Sequence, residues 1–217
     1  MASSLAWTIS GTGSDAGRQG WKLTVVRQDT TVADPSLGDL KDADLVAACL
    51  DGAAGAFDVI VERHRRTISQ LCYRFVSNHE DASDLSQDVF LRAYRGLKKF
   101  RGQSSLGTWL YRIGVNVCLN RVAVKTPPSE SIDDRPHIDT RTESPADRVL
   151  RAERAGLVRA AVAKLPRKQR ATLILRMYHD MSHQEIADIV GSSVGAVKAN
   201  VFHALQNLKK LIGEDVV

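Results

Sequence analysis

Short and hydrogen-bonding side chains are concentrated near the C-terminus, at the start of a repeating apolar pattern. Val194, Val197 and Val201 recur every three or four residues, which is the spacing of one helical face. Small or polar residues lie between them, and such side chains can approach base edges in the major groove of DNA. The candidate base-contacting residues are Ser193, Gly195, Ala196, Lys198, Ala199, Asn200, Phe202 and His203. The pattern favours DNA binding, and a packed helical hairpin without DNA contact is the alternative.

A second cluster mixes aromatic rings with positive charge. No acidic residue occurs between Asp88 and Glu130, whereas eight Lys or Arg residues do. Phe100, Trp109 and Tyr111 lie in the same interval. Stacking platforms beside a positive groove are the features that hold single-stranded nucleic acid. A tryptophan at helical spacing from leucines is more often part of a core, so Trp109 is open to both interpretations.

The sequence offers little for catalysis. It shows no nucleophile beside a base, no phosphate-cradling loop and no carboxylate pair arranged for a cleft. His179 and His183 are four residues apart, a spacing that on one helix could hold a metal ion. A predicted helix break separates them without a third ligand nearby, so we expect neither a metal site nor a cofactor. Cys49, Cys72 and Cys118 are widely spaced and indicate buried free thiols.

Composition narrows the class of protein. The 217-residue chain carries a net charge of +5 and has a pI near 9.2, which permits an anionic partner such as nucleic acid. No apolar run approaches the ~20 residues that span a bilayer, so we expect no membrane insertion. The N-terminus lacks a basic segment followed by an apolar one, so we do not expect secretion. Three widely spaced cysteines suit a reducing compartment, and we therefore expect a cytoplasmic protein. Because no catalytic arrangement is evident, we expect it to bind rather than catalyse.

The elements that position the two clusters are all predicted to be helices. The periodicity predicts helices over 41–76, 84–100, 106–119, 145–165, 167–178 and 182–211. The first of these is broken at Gly52 and Gly55. The last is broken at Gly191, and Ser192 and Ser193 offer N-cap oxygens to the helix that follows. This arrangement is a helix-turn-helix. Its second helix is predicted to pack through an apolar stripe of Val194, Val197, Val201, Leu205, Leu208 and Leu211.

The charge changes sign along the chain and suggests a domain organisation. The net charge is −1 for residues 1–39, +4 for 40–125, −4 for 126–147 and +6 for 148–217. Two basic helical domains are therefore predicted on either side of an acidic, proline-containing segment. The expected parts are a disordered N-terminal extension (1–39), a first domain (40–125), a flexible acidic linker (126–143) and a second domain (144–213).

Two blocks resemble the extracytoplasmic-function sigma factors of bacteria. DLSQDVFLRAYRGLKKFRGQSSLGTWLYRIGVNVCLNR (84–121) resembles their region 2, and LPRKQRATLILRMYHDMSHQEIADIVGSSVGAVKANVFHALQNLKKL (165–211) resembles their region 4. The resemblance implies a promoter-specificity subunit of bacterial RNA polymerase. It also implies partners, namely the β′ and β subunits of core polymerase, promoter DNA and an anti-sigma factor. A helix-turn-helix regulator that works without polymerase is the alternative.

The resemblance assigns roles to particular residues. Asp84, Leu85, Gln87 and Asp88 match the segment that docks on the β′ coiled coil. The residues implied for −10 binding are Arg101, Ser104, Ser105, Trp109, Arg112 and Asn116, and those implied for −35 binding are the eight residues at 193–203 named above. The family pattern TVKSRLxRA reads AVKANVFHA here, so Asn200 and His203 replace arginines and Ala199 replaces a serine. Fewer cations on this helix predict weaker and less salt-dependent docking.

The predicted linker is long enough for two promoter boxes. Its 18 residues extend to ~60 Å at ~3.3 Å each. Boxes about 16 base pairs apart lie ~54 Å from one another at ~3.4 Å per base pair. The linker can therefore join domains that occupy both boxes at once.

Overall fold

The computed structural model describes residues 35–124 and 145–213, and over these ranges the chain is all-α, as predicted. Its helices are α1 (Pro35–Asp39), α2 (Asp42–Leu50), α3 (Ala56–Val76), α4 (His79–Gly96), α5 (Leu106–Val124), α6 (Pro145–Ala163), α7 (Arg167–Tyr178), α8 (His183–Val190) and α9 (Val194–Ile212), with a 3-10 turn at Leu97–Lys99. The expectations for residues 1–34 and for the acidic linker lie outside the described residues. Helix α1 falls inside the stretch expected to be disordered, and Leu37 in it is buried.

Helices α3, α4 and α5 pack together around one part of the core. Ile68 and Leu71 of α3, Val89 of α4 and Leu110 of α5 are fully buried there. Gly114 of α5 lies so close to α3 that a Cβ atom would stand 2.8 Å from Leu71 Cδ2. The absence of a side chain at this position therefore sets the close approach of α3 and α5.

The start of α4 differs from the prediction. The helix was expected to begin at residue 84, but it begins at His79. The Asn78 side chain accepts a hydrogen bond from the Asp81 backbone N–H at 3.0 Å, which caps the first turn. Glu80 and Asp81 in that turn complement the helix dipole, so the acidic stretch belongs to the helix instead of preceding it.

The helix-turn-helix forms from α8 and α9 as predicted. Ser182 and Glu185 make a capping box at the start of α8, with hydrogen bonds of 2.8 and 3.2 Å. Hydrogen bonds from the Ser182 side chain and backbone N–H to the Glu185 carboxylate lower the pKa of that carboxyl. Gly191 adopts φ 62°, a conformation that only glycine adopts cheaply, and Ser193 caps α9 through the Ala196 N–H at 3.2 Å.

The predicted apolar stripe on α9 is only partly correct. Val197 and Ala204 are fully buried, but Leu205 and Leu211 are 48% and 47% exposed. Successive residues of a helix are 100° apart, so the face that contains Val197 and Val201 continues through positions 204 and 208. Leu205 and Leu211 lie to the side of this face. Ala204 was left out of the predicted stripe because the small alanine side chain contributes little to an apolar pattern.

All three cysteines are free thiols, as expected. Cys72 and Cys118 are buried, but Cys49, which was also expected to be buried, is only half-buried.

Helices α6–α9 form a second cluster, and its helices α7 and α8 pack against α3 and α5 of the first. No periodicity in the sequence indicates this contact between the two clusters.

Candidate polymerase and nucleic-acid interfaces

The four residues implied for polymerase binding differ in accessibility. Asp84 is exposed on α4, whereas Leu85 is buried in the core. Asp88 is engaged by Arg92 one turn later, with Nε 3.0 and 3.1 Å from its two carboxylate oxygens and Nη2 at 2.9 Å. Asp84 is therefore an exposed carboxylate, and Asp88 is one member of an ion pair. Leu85 packs in the core and stabilises the position of α4.

Gln87 faces a groove of about 170 Å³ between α3 and α4. Its apolar floor includes Phe57, Val61 and Phe90, and across it the Ser69 hydroxyl donates to Ser86 Oγ at 3.1 Å. No residue on the α3 side of this groove was among the predicted site residues. Phe57 and Val61 recur at helical spacing, which predicts a helical face but does not show that the face borders a groove.

The loop before α5 carries three of the residues implied for −10 binding. Arg101 and Ser105 are exposed and Ser104 is half-buried. The Ser105 hydroxyl accepts a hydrogen bond from the Thr108 N–H at 3.0 Å and lies 2.8 Å from the Thr108 hydroxyl. Ser105 therefore caps α5 and holds the loop against its first turn.

A second groove, of about 350 Å³, runs between α4 and α5. Trp109 is half-buried in its wall, with its ring centroid 5.2 Å from that of Phe100. Gly96 packs beside this indole, and a Cβ there would lie in van der Waals contact with the ring at 3.4 Å. The groove is lined by Arg92, Gly96, Lys99, Trp109, Ile113, Asn116 and Val117.

The groove contains two cations that were not among the residues predicted for −10 binding. Arg92 and Lys99 line it together with Trp109 and Asn116. Both cations belong to the all-basic interval noted above, but only the packing of α4 on α5 brings them beside the indole. The combination of a partly exposed ring and two cations is suited to hold an unpaired base and its phosphates.

Arg112, which was also predicted for −10 binding, is not among the residues that line this groove. Its Nη2 donates to the Asp188 carbonyl of α8 at 2.7 Å. Tyr111 also turns away, and its hydroxyl lies 2.9 Å from His179 Nδ1. Of the six residues implied for −10 binding, the structure brings Trp109 and Asn116 together and leaves Arg112 in contact with the helix-turn-helix.

The residues implied for −35 binding lie on or beside the exposed side of α9. Ser193, Gly195, Lys198, Ala199, Phe202 and His203 are exposed, and Ala196 and Asn200 are half-buried. Phe202 is 59% exposed and its ring meets the His203 ring edge-on at 5.6 Å. Asn200 sits on the flank of the helix rather than at its most exposed position, and the Ser193 hydroxyl is occupied as the α9 cap.

The histidine pair that suggested a metal is separated by the loop between α7 and α8. His179 follows the end of α7 and His183 begins α8. Among the described residues, no three His, Cys, Asp or Glu side chains are grouped so that they could hold a metal ion. Within the same part of the chain, every helix is too short or too polar to cross a membrane.

Comparison with known proteins accounts for both helical clusters. Residues 60–126 match sigma-70 region 2, and residues 155–208 match sigma-70 region 4. The RNA polymerase sigma-H factor of Pseudomonas aeruginosa is 32% identical over 181 residues, which cover 79% of this chain and 94% of that protein. The ECF RNA polymerase sigma-E factor of Haemophilus influenzae is 32% identical over 182 residues, or 80% of this chain and 96% of that protein.

A solved structure agrees with these sequence relatives. CnrH in complex with the cytosolic domain of CnrY superposes with a TM-score of 0.58 at 27% identity, covering 80% of this chain and 98% of CnrH. The fold and the two matched regions define a bacterial sigma factor of the sigma-70 class. More narrowly, the chain belongs to the extracytoplasmic-function sigma factors. Its function is to direct RNA polymerase to promoters, and a regulator independent of polymerase is not favoured.

Proposed function

We propose that the chain divides this function among three surfaces. Helices α3 and α4 bind the β′ subunit, the groove between α4 and α5 holds the −10 element, and the exposed side of α9 binds the −35 element. The observation that carries the proposal is the α4–α5 groove, where an indole, two cations and an amide line one concave surface. A DNA-binding protein that only recognises duplex has no need of such a groove, whereas promoter opening requires one.

The polymerase surface consists of Asp84, the Asp88–Arg92 pair and the neighbouring apolar groove. Asp84 supplies an exposed negative charge, and the groove with Gln87 at its edge can receive an apolar side chain. Charge complementarity then orients the contact while the apolar surface supplies affinity. This division differs from the family-derived assignment in one respect, because buried Leu85 acts only by supporting α4.

The −10 surface captures a base after it leaves the duplex. Trp109 offers the exposed part of its ring for stacking, Asn116 offers an amide for a base edge, and Arg92 and Lys99 meet the backbone. Stacking contributes about 1–3 kcal/mol per base, a scale comparable with the cost of unstacking one step. Arg101 and Ser104, in the loop before α5, extend the surface.

The −35 surface uses the N-terminal half of α9. Gly195 and Ala199 leave space for close approach to the groove floor, and Phe202 offers an apolar edge of the kind that contacts a thymine methyl group. Lys198 is placed to meet phosphate. His203 and Asn200, on its flanks, supply hydrogen bonds where the family pattern has arginines.

The remaining assignments follow from this division of roles. The segment over 126–143 joins the two DNA-binding units, and its length allows both units to occupy their promoter boxes at the same time. The protein acts in the cytoplasm, by binding rather than catalysis, and has an anti-sigma partner. Support for such a partner comes from CnrH, whose structure was solved with the cytosolic domain of another protein bound.

Run-off transcription with core polymerase over a promoter library tests the proposal. We expect specific transcripts only when the chain is added, with permanganate-reactive thymines in the −10 element. Lys99→Ala is the informative variant, and Lys164→Ala, an exposed cation after α6, is its charge-matched control. Equal loss of promoter opening in both variants would remove the α4–α5 groove from the proposal.

A further inference from the structure

An imidazole on α3 connects α2 with the start of α5. His64 Nε2 lies 3.0 Å from Oδ2 of Asp42, the first residue of α2. A carboxylate can only accept hydrogen bonds, so Nε2 carries the proton and donates it. The neighbouring ring atom Cε1 lies beside α5, where a Cβ at Gly107 would be 3.9 Å from it. The ring therefore fills the space between a carboxylate of α2 and the first turn of α5.

The carboxylate that holds this imidazole is itself fixed from a second side. Arg63 Nη1 donates to Asp42 Oδ1 at 2.6 Å. The same guanidinium donates through Nη2 to the Leu40 carbonyl at 2.9 Å and to the Gly38 carbonyl at 3.2 Å. Each oxygen of Asp42 has its own donor, and charge-assisted bonds of this kind are short and directional. The acceptor for His64 therefore has a defined position.

The turn of α5 beside His64 also contains the cap of that helix. The Ser105 hydroxyl would lie 3.8 Å from a Cβ at Gly107, and it accepts the Thr108 N–H at 3.0 Å. The Trp109 N–H donates to the Ser105 carbonyl at 3.1 Å. A shift of this turn would therefore move two parts of the −10 surface together, namely the end of the loop before α5 and the indole in the α4–α5 groove.

Helix α2 supports the other end of the same loop. The loop spans 100–105 and carries Arg101 and Ser104. The 3-10 turn that precedes it packs against α2 and contains the buried Leu97. The loop ends where α5 begins, beside His64. Both ends of the loop are thus placed relative to one helix, the first by direct packing and the second through the imidazole.

We propose that His64 is a positioning residue for −10 recognition, because it joins Asp42 to the first turn of α5 and so places the loop at 100–105. This inference rests on the proposed function, since it assumes that this loop and the α4–α5 groove meet the −10 strand. His64 is not among the residues that line the groove, so it acts through the turn at Gly107. Recognition of this kind needs side chains held within about 0.5 Å, which supporting hydrogen bonds provide.

The test uses full-length variants that separate the hydrogen bond from the ring. His64→Phe keeps a planar ring of similar size and removes the N–H that reaches Asp42. His64→Gln keeps an N–H donor at a similar distance along the side chain, so it should restore the contact. His79→Phe is the matched control, because this exposed histidine stacks on Tyr73 at 4.5 Å and phenylalanine keeps that stacking.

The main measurement is run-off transcription with core polymerase over promoters randomised in both boxes, below the thermal transition of every variant. For His64→Phe we expect discrimination among −10 sequences to fall about tenfold, as loss of a hydrogen bond to a charged acceptor implies. Discrimination among −35 sequences in the same reactions and binding to core polymerase should stay unchanged. His64→Gln should lie within about threefold of wild type, and His79→Phe should equal it.

Other results would overturn the inference in distinguishable ways. If −10 discrimination by His64→Phe equals that of wild type, the ring does not place the loop. An equal fall in −35 discrimination would indicate a general loss of structure, and equal impairment of His64→Gln would exclude the hydrogen bond as the cause. Failure of the proposed function has a different signature, since wild type itself would then select no −10 sequence and leave −10 thymines unreactive to permanganate.

A variant on α2 tests the same contact should His64→Phe fail to fold. Asp42→Ala removes the acceptor and leaves the imidazole intact, and Asp44→Ala removes the same charge from an exposed position in the same turn. Asp42→Ala should reduce −10 discrimination about tenfold, whereas Asp44→Ala should not change it. Addition of His64→Phe to Asp42→Ala should bring no further loss, because both remove one interaction. Additive losses, or equal effects of the two α2 variants, would count against the inference.

Discussion

Charge reversal at Asp84 is the sharpest test of the polymerase-binding surface. Asp84 is exposed in the second turn of α4, beyond the cap at Asn78. Surface substitutions of this kind change the free energy of unfolding by no more than ~0.5 kcal/mol. Asp84→Lys should therefore leave the thermal transition within a few degrees of wild type.

Asp88 is a less suitable position for the same test. Its ion pair with Arg92 is exposed and spans one helical turn, so it contributes only about 0.3–0.5 kcal/mol. Reversal would replace attraction with a similar repulsion and cost ~1 kcal/mol in total. It would also release Arg92, which lines the −10 groove, and so mix two functions in one measurement.

The expected effect of Asp84→Lys on polymerase binding is much larger than its effect on folding. Loss of one partner from an interfacial charge pair costs about 2–4 kcal/mol, which corresponds to a Kd raised about 30-fold or more. The measurement is competition with labelled wild-type protein for core polymerase. It should be made near 0.1 M salt, where the screening length is ~10 Å and a direct contact survives.

Glu80→Lys supplies the matched control. Glu80 is exposed on the same helix, one turn earlier, and carries the same charge. If the reasoning is right, Glu80→Lys competes nearly as well as wild type although it loses a favourable helix-dipole interaction. A Kd for Asp84→Lys within threefold of wild type, or an equal loss in both variants, would refute the assignment.

Three further predictions concern DNA binding and docking, the packing of α7 and α8 on α3 and α5. Lys99→Ala with Asn116→Ala should abolish permanganate reactivity of −10 thymines but keep polymerase binding, and a premelted template should restore part of the activity. Asn200→Ala should change −35 sequence preference by about 1–3 kcal/mol, whereas Lys198→Ala should weaken all sequences alike. Burial, followed by the nearby positive charge of Arg74, lowers the pKa of His179 to about 4. Its contribution to docking is full above an ordinary pKa near 6.5 and is lost as the pH falls toward 4, so small-angle X-ray scattering should show opening at pH 5.

Each of these predictions has a result that contradicts it. A Lys99 and Asn116 double variant that opens linear duplex at the wild-type rate would place strand capture elsewhere. Identical behaviour of the Asn200 and Lys198 variants on cognate and scrambled boxes would contradict their division of roles. For the pH prediction, His179→Gln is the control, and an unchanged pH response in that variant would exclude the imidazole.

The hydrogen bonding of His179 explains why the pH effect should be specific. Burial raises the pKa of Tyr111 to about 12, so its phenol stays protonated and can donate to Nδ1. The imidazole proton then lies on Nε2, which is buried without a hydrogen-bond partner among the described residues. Protonation adds a charge where a positive Arg74 already stands, which opposes docking.

The sequence by itself determined the local structure and the family. The turn at Gly191 and the cap at Ser193 were predictable because each depends on a few neighbouring residues and on one glycine's access to positive φ. The all-α class followed from apolar periodicity for the same reason. The start of α4 was misplaced because several residues could cap it, and only the hydrogen bond to Asn78 selects one.

Only the tertiary structure decided which residues meet. Arg92 and Lys99 join Trp109 in one groove because α4 packs on α5, and Arg112 contacts Asp188 because α8 docks there. Periodicity reports which face of a helix is apolar, but it carries no information on which helix covers that face. A polar residue on an exposed face is equally suited to DNA, to solvent or to another helix. Its role is therefore fixed by contacts that span many tens of residues.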